Sequence, residues 1–280
     1  MKLLRYGERG AEKPGLLDAA GQIRDLSGHL TDIAGPALHP DALARLASLD
    51  SGSLPLVAGS PRIGPCVGEV GKFVCIGLNY SDHAAEGGMK VPPEPVIFMK
   101  ATSAICGPHD PIELPRGSVA TDWEIELGLV IGKPAKYVGE AEALDCLAGY
   151  CTINDVSERD HQARRSGQWT KGKSADSFGP IGPWLVTADE IDDPQALRLS
   201  LSVNGEICQD GTTANMVYGA AFLISYVSQF MSLQPGDIIS TGTPAGVGMG
   251  RTPPRYLQAG DLVEAEVEKL GRQCQEVIQG

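Results

Sequence analysis

Residues 121–132, TDWEIELGLVIG, alternate strictly, with Trp123, Ile125, Leu127 and Leu129 set against Glu124, Glu126, Gly128 and Val130. Such alternation marks a strand with two different faces. One face is apolar and looks inward. The other presents two carboxylates side by side, which repel unless a cation or a shared proton holds them. A third acid, Asp155, closes the strand-like run 148–153 in GYCTINDVS. Three carboxylates converging from strands suit a hard divalent cation such as Mg2+. Two Glu on a strand face are also what a solvated face looks like, so the rest of the chain has to decide.

The chain has 280 residues, which suits one large domain or a catalytic domain with a small appendage. Its 35 Gly and 20 Pro call for many turns and short strands. A net charge of −12 argues against binding to nucleic acid or an anionic membrane. It leaves room for an anionic substrate, because a bound metal inverts the local field. No apolar run is long enough to span a bilayer, and the opening MKLLRYGERGAEKPG lacks the apolar core of a secretory signal. Seven cysteines without a C-x-x-C pair read as reduced thiols of a cytoplasmic protein, with neither disulfides nor a zinc site. None sits in a motif that activates it.

Residues 1–68 read as a small N-terminal α+β domain with strands near 1–5, 13–17 and 22–26, a helix over 40–47 and a linker over 51–62. Residues 69–280 form the expected catalytic domain. KFVCIGLNY is an apolar strand ending at Asn79 and Tyr80. SDHAAEGG makes one or two helical turns, capped by Ser81 or Asp82 and stopped at Gly87 and Gly88. Further strands fall at PVIFMK, 127–132, 148–153, 184–187, 237–240 and 262–269. LRLSLSVN turns at Asn204-Gly205, a hairpin signal. Residues 157–166 read as helical, and 218–231 form the one long amphipathic helix. The sum is a β-rich α+β fold. It has no G-x-G-x-x-G after a strand, no P-loop and no G-x-S-x-G elbow.

His83 and Glu86, at i and i+3, share a helical face, the arrangement that orients a general base. The glycines behind them make this turn a candidate lid. Lys173, in WTKGKSADSFGPIGPW, is placed on an ordered loop rather than a helix, where it would stabilise negative charge on a substrate. Taken alone it reads as a surface lysine. Arg159 and Gln162 share a helical face close to Asp155. The backbone N–H groups of STGTPAGVG, around Thr243, can face an anion.

The runs VCIGLNYSDHAAEGG, EPVIFMKATSAICGP, DWEIELGLVIG, GYCTINDVSERDHQ, KSADSFGPIGPW, QDGTTANMVYG and ISTGTPAGVG together resemble the fumarylacetoacetate hydrolase family, over about residues 71 to 270. The resemblance implies a mixed β-sandwich roll with a small N-terminal domain, assembled as a homodimer or homotetramer. It implies that Glu124, Glu126 and Asp155 bind Mg2+ or Mn2+. His83 and Glu86 become an acid/base dyad on a lid and Lys173 the catalytic lysine, with Arg159, Gln162, Thr243 and Tyr80 as substrate contacts. The N-terminal MKLLRYG…KPGLLDAAGQIRDLS is similar to bacterial hydrolases of 2,4-diketo-3-deoxy sugar acids.

A small-molecule 2-keto acid is therefore the expected substrate. Hydrolysis of 2,4-diketo-3-deoxy-L-rhamnonate (or the fuconate) to pyruvate and L-lactate, through a pyruvate enolate held on magnesium, is the leading expectation. The substrate side chain beyond C4 is left open, to be set by residues such as Met89 and Val91. An acylpyruvate hydrolase, an oxaloacetate decarboxylase, another lyase or isomerase of the family, and a non-catalytic metal-binding protein are the alternatives.

Overall fold

In the computed structural model, which describes residues 1–86, 88 and 90–280, the alternating acidic run is the centre of a large sheet. The strands in chain order are β1 (Lys2–Tyr6), β2 (Lys13–Leu17), β3 (Ile23–Asp25), β4 (Phe73–Gly77), β5 (Val96–Lys100), β6 (Ile105–Cys106), β7 (Ile112–Leu114), β8 (Thr121–Asp122), β9 (Ile125–Ile131), β10 (Leu147–Asn154), β11 (Ser157–Glu158), β12 (Gly179–Pro180), β13 (Leu185–Thr187), β14 (Arg198–Val203), β15 (Glu206–Thr212), β16 (Ile238–Ser240), β17 (Leu262–Val267) and β18 (Gly271–Gln279). The helices are α1 (Pro40–Ala47), α2 (Ser81–Glu86), α3 (Glu140–Ala143), α4 (Thr170–Lys173) and α5 (Ala220–Phe230). A nine-stranded sheet runs β3-β2-β1-β13-β10-β9-β16-β4-β5, and a five-stranded sheet runs β15-β14-β17-β18-β7. The fold is a β-rich α+β roll.

The alternation in β9 sorts two cores. Trp123, Ile125, Leu127, Leu129 and Ile131 join one apolar cluster with Leu199, Leu201, Val263 and Ala265 of the second sheet and with Leu223, Ile224 and Val227 of α5. Val130, on the opposite face, joins a second cluster with Phe73, Ile153 and Ile238. Leu3, Leu16, Leu38 and Leu43 of the N-terminal segment complete that second cluster. β1 also pairs directly with β13, Lys2 opposite Val186 and Leu3 opposite Leu185. The N-terminal strands thus extend the nine-stranded sheet and cover one of its faces. β10 bulges between Leu147 and Gly149 where β13 approaches. Any side chain at Gly149 would collide with the Val186 carbonyl.

Three local readings change. Lys173 ends a short helical turn, α4, because the chain closes Gly172 N–H onto the Trp169 carbonyl at 2.8 Å before the Gly and Pro residues take over. Residues 157–166 are not one helix. Ser157 and Glu158 pair with β8, since the Glu158 carboxylate is drawn inward by Ser118, Ala120 and Thr121, and a π-turn over Asp160–Arg164 follows. β18 is a strand that the pattern hid, because its inward residues include the glutamines Gln273 and Gln275. Gln273 Nε2 bonds the Thr152 carbonyl at 2.9 Å, and Gln275 Nε2 bonds the Asp110 carbonyl at 2.7 Å. Asn204 and Gly205 both take positive φ, 53° and 79°, as a tight hairpin turn requires.

All seven cysteines are free thiols. Among the described residues no helix is long and apolar enough to cross a membrane.

Leu3, in β1, is fully buried in the second apolar cluster. Leu3→Ala is expected to cost about 2–5 kcal/mol in a single urea transition followed by tryptophan fluorescence. Two separated transitions would show that residues 1–68 fold apart from the rest.

Candidate active site

Antiparallel pairing of β9 with β10 sets the start of one beside the end of the other, with Ile125 opposite Asn154 and Glu126 opposite Ile153. Glu124 lies just before β9 and is clamped there. Its carbonyl accepts the Asp155 N–H at 2.8 Å, and its own N–H donates to the Asn154 side chain at 2.9 Å. β16 runs antiparallel to β9 and parallel to β4, so the segments leaving β16 and β4 reach the same end of the sheet. Glu124, Glu126 and Asp155 there bring one carboxylate oxygen each within 4.8 Å of the others. All three are buried, so the acids of the alternating run face a pocket and not bulk water.

Three cations balance this charge. Lys173 Nζ lies 2.6 Å from both Glu124 Oε2 and Asp155 Oδ2. Lys100 Nζ lies 2.6 Å from Asp155 Oδ1 and also donates to the Lys173 carbonyl. Arg159 Nη1 stands 2.7 Å from Glu124 Oε1, while its Nη2 is 2.8 Å from Asp122 Oδ2. Among the described residues Glu126 has only neutral donors, Ser240 Oγ at 2.5 Å and the Gly242 N–H at 2.9 Å.

The titration behaviour divides accordingly. Burial would raise the Glu124 carboxyl, but Arg159 and Lys173 hold it well below the usual carboxylate range. Burial, then Asp155 and Glu124, push the Glu126 carboxyl well above it. Burial favours loss of the Lys173 proton, yet Asp155 and Glu124 more than offset that, and the ammonium is held above its ordinary range. An all-oxygen donor set with one member strained by its neighbours fits a hard divalent cation, which would relieve that repulsion.

His83 Nδ1 faces Glu86 Oε2 at 3.5 Å on α2. Both Glu86 oxygens accept the Gly246 N–H, at 3.0 and 3.1 Å, so α2 is tied to the Gly-rich segment after β16. Of the glycines expected to end the turn, Gly88 adopts φ 61°; Gly87, and Met89 beyond it, lie outside the described residues.

A pocket of about 200 Å3 collects His83, Glu124, Glu126, Arg159, Gln162, Lys173 and Thr243. Asp155 lies immediately behind it. The expected substrate contacts are not equivalent. Arg159 is held by Asp122, Glu124 and the Gln162 Oε1. The Thr243 hydroxyl donates to the Ile125 carbonyl and accepts from Gln209 Nε2, both at 2.8 Å. Tyr80 is fully buried outside the lining, and burial together with Glu126 and Asp82 pushes its phenol well up. The sequence reading missed Lys100 and Asp122. Asp122 stands in the same alternating row as Glu124 and Glu126, and that spacing was a usable signal. Lys100 gave none, since a lysine closing an apolar strand normally reaches water.

The family model for the C-terminal domain of fumarylacetoacetate hydrolase matches residues 72–278. A "Putative hydrolase" of Burkholderia multivorans is 63% identical over 276 residues, 98% of each chain. Among solved structures, a fumarylacetoacetate hydrolase from psychrophilic Exiguobacterium antarcticum superposes with a TM-score of 0.88 at 34% identity, covering 100% of both chains. A 5-carboxymethyl-2-hydroxymuconate delta-isomerase from Mycobacterium smegmatis gives 0.77 at 32% identity, covering 100% of this chain and 99% of that one. The acidic cluster, the buried lysine and the His–Glu pair therefore sit in a chain that belongs to the fumarylacetoacetate hydrolase family.

Proposed function

We propose that this chain is a metal-dependent hydrolase that cleaves the C3–C4 bond of a 2,4-diketo acid and releases pyruvate. The observation that carries the reading is the convergence of the Glu124, Glu126 and Asp155 carboxylates within 4.8 Å, with Glu124 and Glu126 lining one pocket together with Lys173 and His83. 2,4-Diketo-3-deoxy-L-rhamnonate, giving L-lactate as co-product, is the substrate to which the N-terminal resemblance points. Isomerisation is the second reading, because three of the similar structures are described as isomerases.

Glu124, Glu126 and Asp155 would hold Mg2+ or Mn2+. When bound, that ion supplies Lewis acidity to the carboxylate and keto oxygens of the substrate's pyruvyl end. Glu86 Oε2 stands 3.5 Å from His83 Nδ1 without a hydrogen bond between them; drawn together they would orient the ring so that Nε2 takes a proton from water. Hydroxide adds to C4, the C3–C4 bond breaks, and its electron pair goes to C3, which is protonated to complete pyruvate. C4 leaves as a carboxylic acid. Lys173 keeps its proton too firmly to act as a base, so it serves as a donor to the oxyanion at C4. Thr243, whose hydroxyl is already engaged by the Ile125 carbonyl and Gln209, lines the pocket.

His83→Ala should retain metal binding by calorimetry and lose about 10²–10⁴-fold in kcat; a rate near that of the parent would remove His83 as the base. Exhaustive EDTA treatment is expected to abolish pyruvate formation and added Mg2+ or Mn2+ to restore it. Glu126, raised in the metal-free chain, must lose its proton when a cation binds. Metal affinity should therefore weaken as pH falls, and calorimetry in buffers of different ionisation enthalpy should register proton release. Asp155→Ala should eliminate the binding isotherm.

A further inference from the structure

We infer that the half of the substrate lying beyond C4 is an uncharged apolar acyl group, and that Trp169 is the residue that selects it. This rests on the hydrolase reading above and departs from it on one point: 2,4-diketo-3-deoxy-L-rhamnonate carries a C5 hydroxyl, and the wall described below favours an acyl group without it. The pocket lining divides sharply by chemistry. Against the carboxylates and Lys173 stands a wall of Ile76, Leu78, Phe98, Trp169 and Met249. The wall begins directly beside the reacting groups, since the Phe98 ring centroid is 5.1 Å from Lys173 Nζ.

Trp169 is fixed from two sides. It meets Phe98 edge to face, with centroids 5.2 Å apart and planes at 68°. Its six-membered ring lies over Gly77, where any side chain would collide with it. The missing Cβ at Gly77 is what lets the indole approach the sheet end. Trp169 also immediately precedes α4, the turn that ends at Lys173, so ammonium and indole are carried as one unit. Leu78, next to Gly77, takes φ 57°, a left-handed conformation that leucine rarely adopts. Such a residue at a pocket wall is held there by its surroundings.

The polar groups of the lining have little left for a polar tail. Arg159 is engaged by Asp122, Glu124 and Gln162, and on the hydrolase reading Lys173 is committed to the oxyanion at C4. A second carboxylate would enter the pocket without an unengaged lysine or arginine among the described lining residues, at a high desolvation cost. A hydroxyl could be met by Gln162 Nε2 and little else on this wall.

The experiment is a series of 2,4-diketo acids carrying methyl, ethyl, propyl or phenyl at C4, with 5-hydroxy-2,4-dioxohexanoate as the hydroxylated counterpart of the ethyl compound and a carboxylate-terminated analogue of the propyl one. The expected result is a rise in kcat/KM from methyl upward, approaching ten-fold per methylene while space lasts. The ethyl compound should equal or exceed its hydroxylated counterpart. A ten-fold preference for the hydroxylated or the carboxylate-terminated compound would overturn the inference. Trp169→Leu should lower the phenyl-to-methyl ratio of kcat/KM by about ten-fold, and Trp169→Phe should recover part of it. That ratio is independent of how much of the variant folds, and an unchanged ratio also counts against the proposal. If nothing in the series is cleaved, the hydrolase reading fails; competitive calorimetric binding of the same series to the Mg2+-loaded protein then decides the apolar preference separately.

Discussion

Three carboxylates are expensive to bury together, and the fold around this site is arranged to offset that cost. Glu124 and Asp155 are neutralised by Lys173, Lys100 and Arg159 at distances of 2.6 to 2.7 Å. Each cation arrives from a different stretch of chain, Lys100 from the end of β5, Arg159 from the turn after β11 and Lys173 from α4. Removing one partner would strand a buried charge, which costs far more than the pair contributes. The site is thus also a junction that fixes how β5, β9, β10 and α4 meet.

Glu126 is the exception, and the exception has a physical meaning. It receives two neutral hydrogen bonds and no cation, while Asp155 and Glu124 press on it. The repulsion on that side is met by neutral donors, not by a fixed cation, among the described residues. A divalent ion seated among the three oxygens would relieve it, which ties metal affinity to the arrangement of fixed charges and not only to the presence of suitable ligands.

The alternation at 121–132 revealed the strand and placed both acids on one face, but it could not reveal that both faces are buried. That depends on the N-terminal segment, whose Leu3, Leu16 and Leu38 cover the second face from far away in sequence. Lys173 looked like a surface lysine because nothing local distinguishes it; only the arrival of Glu124 and Asp155 draws it in. β18 was hidden for the opposite reason, since Gln273 and Gln275 look solvent-facing until the carbonyls they satisfy are known. The motifs that carried the family resemblance lie at strand ends and turns, where the chemistry sits. The residues that were missed, Lys100 and Asp122, contact the site through other side chains.

On the proposed reading, hydrolase and isomerase relatives would share the pyruvyl end of the site and differ in what approaches the other end. Charge builds on the keto oxygen in both reactions, and the carboxylate–lysine cluster serves both. Hydrolysis further requires water at C4 and a base beside it. Here Glu86 bonds the Gly246 N–H with the carboxylate that also faces His83. The position of the base is thereby coupled to the Gly-rich segment after β16, which itself packs on Trp123 through the Gly246 carbonyl and the indole Nε1–H at 3.1 Å. The placement of His83 and of the Gly-rich segment is in this way set by one carboxylate, so a change at Glu86 would disturb both together.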